Sequence, residues 1–266
     1  MPDLTLTVCT LNVLHRRRTE VIRADILKLI RIGVDVICLQ EMNGHGRALR
    51  NLPHPWRTHR PGFTKGKPGG RRETPIVYNS AKLRLVHKGF RHVSDPQLVE
   101  KGAGGRNVAE KTVTWILVRH RASRQPIAIL NTHAVATIEN KGHPNENHPR
   151  RLAVFAALMR VLTDMVTSRV RAGQIVLVCG DLNVNYRSDV EVRDERFPFR
   201  VFQEIGVHAS YRWLGMPKMG TRRTRLIDYV SHSVDPDITP IRHAILRYSG
   251  SDHRPYLVTF RLDRAR

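Results

Sequence analysis

Two apolar runs, one in each half of the chain, end in the same unusual way. Val176–Val184 reads VLVCGDLNV and Thr7–Val13 reads TVCTLNV, so both finish on Asn followed by Val. Short runs this rich in Val, Leu and Thr predict buried strands. A buried strand must then dispose of the polar groups at its end. Side chains alternate along a strand, so Asp181 and Asn183 project the same way while Leu182 points into the core. That geometry aims a carboxylate and a carboxamide into a cleft. The competing reading is a turn, because Gly180, Asp181 and Asn183 are all turn formers. The echo between the two segments supports a pseudo-symmetric pair of sheets.

The rest of the chain fits around those two strands. Residues 4–12 and 34–40 are apolar strands, and TEVIRADILKLIRIG between them places Val21, Ile22, Ile26, Leu29 and Ile30 at helical spacing. Thr19 is the expected cap and Gly33 the expected stop. Residues 54–72, with GFTKGKPGGRR, read as a loop. Further strands are predicted at 75–78, 83–90, 112–119 and 126–132, then a helix over about 150–171. A strand at 174–182 follows, then a short helix near 199–205 and strands near 226–231, 240–247 and 255–261. With 41% hydrophobic residues among 266 and no linker or low-complexity tract, this reads as one domain spanning 1–266, two sheets with helices outside.

Four more polar residues or pairs interrupt or end apolar runs. Glu41 follows VDVICLQ, and His133 follows IAILNT. Asp228 lies inside RLIDYV, and Asp252-His253 precedes the last strand in GSDHRPYLVTF. A buried carboxylate must be paired, and His253 is the expected partner of Asp228.

Taken in order, TLNV, LQE, THAV, GDLN, IDYV and SDHRP resemble the endonuclease/exonuclease/phosphatase superfamily, which includes deoxyribonuclease I-like and exonuclease III-like enzymes. The resemblance spans residues 10 to 255. It implies a four-layer α/β/β/α sandwich, two mixed β-sheets packed face to face with helices outside. It also implies roles. Glu41 would ligate a divalent metal with Asn12 and Asp252 nearby. Asp181 would orient or deprotonate the attacking water, and Asn183 would hydrogen-bond the phosphate or that water. His133 would sit near the leaving group, and His253, held by Asp228, would contact the scissile phosphate. Three carboxylates converging at ~5 Å repel by about 3 kcal/mol per pair at an effective dielectric near 20. A hard, oxygen-seeking cation, Mg²⁺ or Mn²⁺, removes that penalty. The pattern departs from the family at Asn43, where a basic or aromatic residue is common, and in the distance of Arg225 from Asp228. Arg106, in GAGGRN, is loosely similar to a phosphate-binding arginine of some members. KGHPNENHP, with His143 and His148, reads as a solvated loop rather than a zinc site.

Charge narrows the partner. There are 45 Lys+Arg against 23 Asp+Glu, a formal charge of +22. Such a surplus points to a polyanion: nucleic acid first, DNA ahead of RNA, and acidic phospholipid second. Basic clusters fall at 15–18 (with Arg16, Arg17 and Arg18 beside the site strand), 62–72 and 221–225. The expected activity is therefore a nuclease. The alternatives are a phosphatase or phospholipid phosphodiesterase on the same scaffold, and an inactive nucleic-acid binder. Cys9, Cys38 and Cys179 all lie in apolar runs and read as buried thiols of a reducing compartment. No run approaches the ~20 residues of a membrane span, so the expected setting is the cytoplasm.

Overall fold

The computed structural model describes residues 4–61, 73–102, 105–247 and 250–265. The basic stretch 62–72 therefore lies outside the described residues. The first half contains β1 (Thr5–Asn12), α1 (Thr19–Arg31), β2 (Val36–Gln40), β3 (Trp56–His59), β4 (Ile76–Asn79) and β5 (Leu83–Ser94). A small hairpin follows, β6 (Gln97–Gly102) and β7 (Gly105–Val108), then β8 (Lys111–His120) and β9 (Pro126–His133). The second half contains a two-residue pair, β10 (Glu139–Asn140) and β11 (His143–Pro144), then α2 (Pro149–Arg171) and β12 (Ile175–Asp181). It closes with α3 (Tyr186–Val192), α4 (Pro198–Glu204), β13 (Val207–Ala209), α5 (Ser210–Leu214), β14 (Asp228–Ser233), β15 (Ile238–Ile245) and β16 (Tyr256–Leu262).

Two six-stranded mixed sheets carry the fold, ordered β15-β16-β1-β2-β4-β3 and β13-β14-β12-β9-β8-β5. Their patterns match. In each sheet the third strand pairs parallel with the fourth, and every other pair is antiparallel. The third strands are β1 and β12, the two runs ending on TLN and GDLN. The pseudo-symmetry hinted at by that echo is thus a property of the topology.

Alternation explains how the layers stack. In β1 and β2, Leu6, Val8, Val36 and Cys38 belong to the core between the sheets. Cys9, Leu11, Ile37 and Leu39 point the other way and pack with Ile22, Ile26 and Leu29 of α1. Burying each of those three helical side chains contributes about 2 kcal/mol. On the other side, α2 lies against β12, β8 and β5 and buries Val154, Phe155, Leu158, Leu162 and Val166. The helices are therefore outside and the sheets face each other.

Sequence expectations fail at a few element ends and for the short elements. Thr19 is not the cap of α1: Arg18 holds that position without a side-chain cap, and the Thr19 hydroxyl instead meets His45 Nδ1 at 3.0 Å. The stretch read as a loop over 54–72 contains β3, and the strand expected to stop at 90 runs to Ser94.

The two sheets are also joined by amides. Gln40 Nε2 donates to Asn131 Oδ1 at 2.8 Å, and Asn131 Nδ2 donates to the Leu39 and Pro75 carbonyls at 2.8 and 3.0 Å. All these groups are buried, so the satisfied bonds fix one sheet against the other just below the site. Within the second sheet, Gly180 is needed where β12 runs against β9. Its φ is +146°, and a Cβ there would lie 2.0 Å from the Thr132 carbonyl oxygen on β9.

Candidate active site

Asn12 and Asp181 end the two central strands, and they touch. Asn12 Nδ2 donates to Asp181 Oδ2 at 3.0 Å and to Glu41 Oε1 at 2.9 Å. One carboxamide thus ties together carboxylates from both sheets. Glu41 follows β2 with φ +59°, a left-handed turn that swings its side chain towards Asn12. Its other oxygen accepts from the His15 amide at 2.9 Å and faces His15 Nδ1 at 2.8 Å. Burial opposes ionisation of Glu41, but His133, the two His15 contacts and Asn12 outweigh it and hold its pKa down to about 2.

Asp181 also faces two imidazoles, each tethered by a carboxylate. His253 Nδ1 lies 2.9 and 3.1 Å from the two oxygens of Asp228, and its Nε2 is 3.6 Å from Asp181 Oδ2. His133 Nδ1 bonds Glu73 Oε1, and its Nε2 is 3.7 Å from the same Asp181 oxygen. A carboxylate can only accept, so each tether assigns the proton to Nδ1 and presents Nε2 to Asp181. Burial disfavours the charged imidazole of His253, but Asp228 and Asp181 reverse this and raise its pKa to about 9. Burial also pushes the Asp228 carboxyl upward. With both its oxygens facing Nδ1, the proton is better placed on the ring.

Glu73 and Lys111 are the parts that sequence reading missed. Glu73 is buried between His133 and Lys111, whose ammonium is 3.4 Å from both its oxygens. Burial alone would raise the Glu73 pKa; Lys111 and His133 together lower it. The available signals were a Glu just before the β4 strand and a Lys opening the apolar β8, both weak beside a run of basic residues. His15 carries no mark of its own in the sequence beyond its place in the basic cluster at 15–18. Asn183 closes the group. Its amide donates to Asp181 Oδ1 at 2.9 Å, its side-chain amide donates to the Ala134 carbonyl at 3.0 Å, and its φ is +54°.

These groups line one cavity of about 670 Å³, whose walls include Glu41, Glu73, Lys111, His133, Asp181, Asn183 and His253. Asp252 is there too, gripped by Arg222 through Nε and Nη2, both at 2.9 Å. The basic residues sort differently from the sequence expectation. Arg16 lines the cavity. Arg17 does not: it bonds Asp25 of α1 at 2.8 Å and its side chain is 9% exposed, which removes it from substrate contact. Arg18 is exposed beside Glu20, 3.7 Å away, and is not part of the wall. Arg106 is exposed on β7 and also misses the wall, where Asn107 takes its place. Arg225 holds Glu139 and reaches the Asn183 carbonyl at 3.4 Å, so it braces the loop behind Asn183. Among the described residues, His143 and His148 belong to no cluster of metal-ligating type.

Two groups compete as a cation site. Ligand atoms of Asp181, Asp228 and His253 lie within 4.8 Å of one another. Asp228, however, is fully buried and already turned onto Nδ1 of His253, which makes that trio an orienting dyad facing a carboxylate. Glu41, bonded to Asn12, and Asp252 also line the cavity and offer carboxylate oxygens of the kind a hard divalent ion takes.

A model of the endonuclease/exonuclease/phosphatase family matches residues 9–253, from β1 to the site histidine. This chain belongs to that family. Its members are metal-dependent phosphoesterases, and the chain is a hydrolase of that class. No curated protein matches the sequence. Solved structures match its fold. A family protein from Bacteroides thetaiotaomicron is 16% identical with a TM-score of 0.72, covering 97% of this chain and 98% of its own. TDP2 of D. rerio, complexed with single strand DNA product, is 17% identical with a TM-score of 0.69, covering 97% and 99%. The mannosyl-6-phosphatase Bt3783 of Bacteroides thetaiotaomicron is 14% identical with a TM-score of 0.69, covering 96% and 99%. At these identities the likeness establishes the sandwich fold. No described helix is long and apolar enough to cross a membrane.

Proposed function

We propose that this family member hydrolyses phosphodiester bonds of nucleic acid, DNA ahead of RNA, with Mg²⁺ or Mn²⁺. The observation that carries the reading is a single carboxylate, Asp181, facing the Nε2 atoms of two carboxylate-tethered imidazoles at 3.6 and 3.7 Å. A cavity holding Arg16, Lys111 and Arg222, in a chain of charge +22, supports a polyanionic substrate.

In this reading Asp181 holds the attacking water and takes its proton, while Asn12 keeps the carboxylate aimed across the sheets. Asn183 donates to the developing negative charge once its amide turns from Ala134; such a donor is worth about 3 kcal/mol elsewhere. His253 is cationic at neutral pH, as its raised pKa requires, and so donates to a phosphate oxygen from Nε2. His133 stands on the opposite side of Asp181, its ring fixed through Nδ1 by Glu73; when the ring carries a second proton, on Nε2, it passes that proton to the leaving oxygen and is left neutral. Glu41, Asn12 and Asp252 would hold the metal ion, which polarises a phosphoryl oxygen and lowers the pKa of bound water.

The test is purified protein with Mg²⁺ against labelled double-stranded, single-stranded and abasic DNA, RNA, and a soluble phosphomonoester. Cleavage of nucleic acid, abolished by chelator and restored by Mg²⁺ or Mn²⁺, is expected. Release of phosphate from the monoester with all nucleic acids intact would replace this reading by a phosphatase.

A further inference from the structure

A threonine at the start of a helix commonly spends its hydroxyl on the helix's own free amides. Thr19 of α1 does not. Its hydroxyl lies 3.0 Å from Nδ1 of His45, in the turn that follows Glu41. The other nitrogen of that ring, Nε2, lies 2.6 Å from the His15 carbonyl oxygen. The His15 amide and Nδ1 in turn reach Glu41 Oε2 at 2.9 and 2.8 Å. Thr19, His45, His15 and Glu41 thus form one chain of contacts, which ends on a carboxylate in the cavity wall.

The acceptors give that chain a direction. A carbonyl oxygen only accepts, so His45 carries a proton on Nε2, and Nδ1 of the neutral ring accepts from the Thr19 hydroxyl. A carboxylate also only accepts, so His15 Nδ1 donates to Glu41. The backbone is shaped to allow this. Leu14, at φ +61°, turns so that its amide meets Asn12 Oδ1 at 3.0 Å, and His15 follows on the Glu41 side. In the facing turn the His45 amide and Arg60 Nη2 both donate to the Met42 carbonyl, at 3.1 and 3.0 Å. His15 is exposed and His45 only partly buried, so packing does not account for either ring. A carboxylate has about four lone-pair sites. The two His15 donors fill Oε2, and Asn12 takes one site of Oε1, which leaves Oε1 with a site for an ion.

We propose that His15 and His45 are positioning residues for a divalent cation at Glu41, the chain from Thr19 holding that carboxylate in its binding orientation before the ion arrives; the proposal rests on the reading above that Glu41 holds the ion. Groups that hydrogen-bond a ligating side chain commonly govern metal affinity by about 10–100-fold. The physical reason is preorganisation. A carboxylate that rotates freely must be immobilised when the ion binds, and one already fixed by three donors has little freedom left to lose.

The experiment titrates chelator-treated protein with Mn²⁺ in the absence of substrate and reads free Mn²⁺ by electron paramagnetic resonance. Thermal melting of each metal-free variant is the control for folding. Glu41→Gln should lose the site. His15→Ala should weaken Mn²⁺ binding by about tenfold or more without a lower melting temperature. His15→Asn, whose side-chain nitrogen stands at the position of Nδ1, should recover most of that loss. His45→Ala should lose less than His15→Ala, because both donors to Glu41 remain, and His45→Gln, which keeps a donor at the ε position, should recover it. Unchanged affinity in either alanine variant, or a loss as large in His15→Asn as in His15→Ala, overturns the positioning role and leaves the cation at Glu41 standing. A wild-type protein that binds no Mn²⁺, or a Glu41→Gln variant that binds it as well as the wild type, overturns the cation reading and the positioning role with it.

Discussion

Asp181 accepts from Asn12 on the facing sheet, from the Asn183 amide, and meets two histidines, so its replacement removes a hub rather than a single bond. Asp181→Asn keeps the shape and should leave the fold intact while lowering turnover by at least ~100-fold; His253→Ala should do the same. Near-normal turnover in a folded variant would remove that residue from the mechanism. The Asp228–His253 pair gives a pH signature. His253 has a folded pKa of about 9 against roughly 6.5 unfolded, so its stabilisation is fully present below ~6.5 and is lost as pH rises through about 9. Asp228→Ala should therefore melt with a deficit of roughly 3–5 kcal/mol at pH 6, shrinking towards pH 9.5. A deficit of equal size at both pH values would sink the dyad. Asp181, Asp228 and His253 were legible because each breaks an apolar strand or flanks one. Glu73 was not, since nothing in its neighbours marks it as buried; only the return of His133 from sixty residues away does so.

At the scale of elements, register carries the site. Asp181 is opposite His133 on β9 and opposite Asp228 on β14, so three functional side chains lie in one row across the sheet. Gly180, one residue earlier, is what lets that row close up. Gly180→Ala must displace the Thr132 carbonyl or the strand itself. The expected cost is about 2–4 kcal/mol of stability, with turnover falling further than stability explains because the row is misaligned. A urea melt with activity measured on the folded fraction separates the two effects; an alanine variant with wild-type midpoint and turnover would show that the strands can part freely. The long strands were legible from their apolar, β-branched runs, and α2 from apolar residues at helical spacing. α3, which buries only Tyr186 and Asp189, and α5, of five residues, show no helical stripe of apolar residues, whereas α4 falls where a helix is expected near 199–205. The β6–β7 hairpin buries little beyond Val99 and Val108, so it has no alternation to read.

Across the whole molecule, charge was legible and its placement was not. Three consecutive arginines follow β1, but the chain turns at Leu14, with φ +61°, and sends them to three different places. Arg16→Gln should weaken DNA binding and make the salt slope shallower by about 1, across all sequences alike. Arg17→Gln should leave that slope unchanged and instead lower stability by about 1–3 kcal/mol, because it strands Asp25. Equal effects of the two on the slope would contradict their placement. The pairing of β1 with β16 has a consequence for the order of events in the cell. β1 finds one of its two neighbours only when residues 256–262 have been made, and His253 lies just before them. A growing chain therefore carries its hydrolytic groups as scattered, unassembled pieces. The assembled site therefore waits on the pairing of β1 with β16, a contact of long sequence separation that a folding chain makes late.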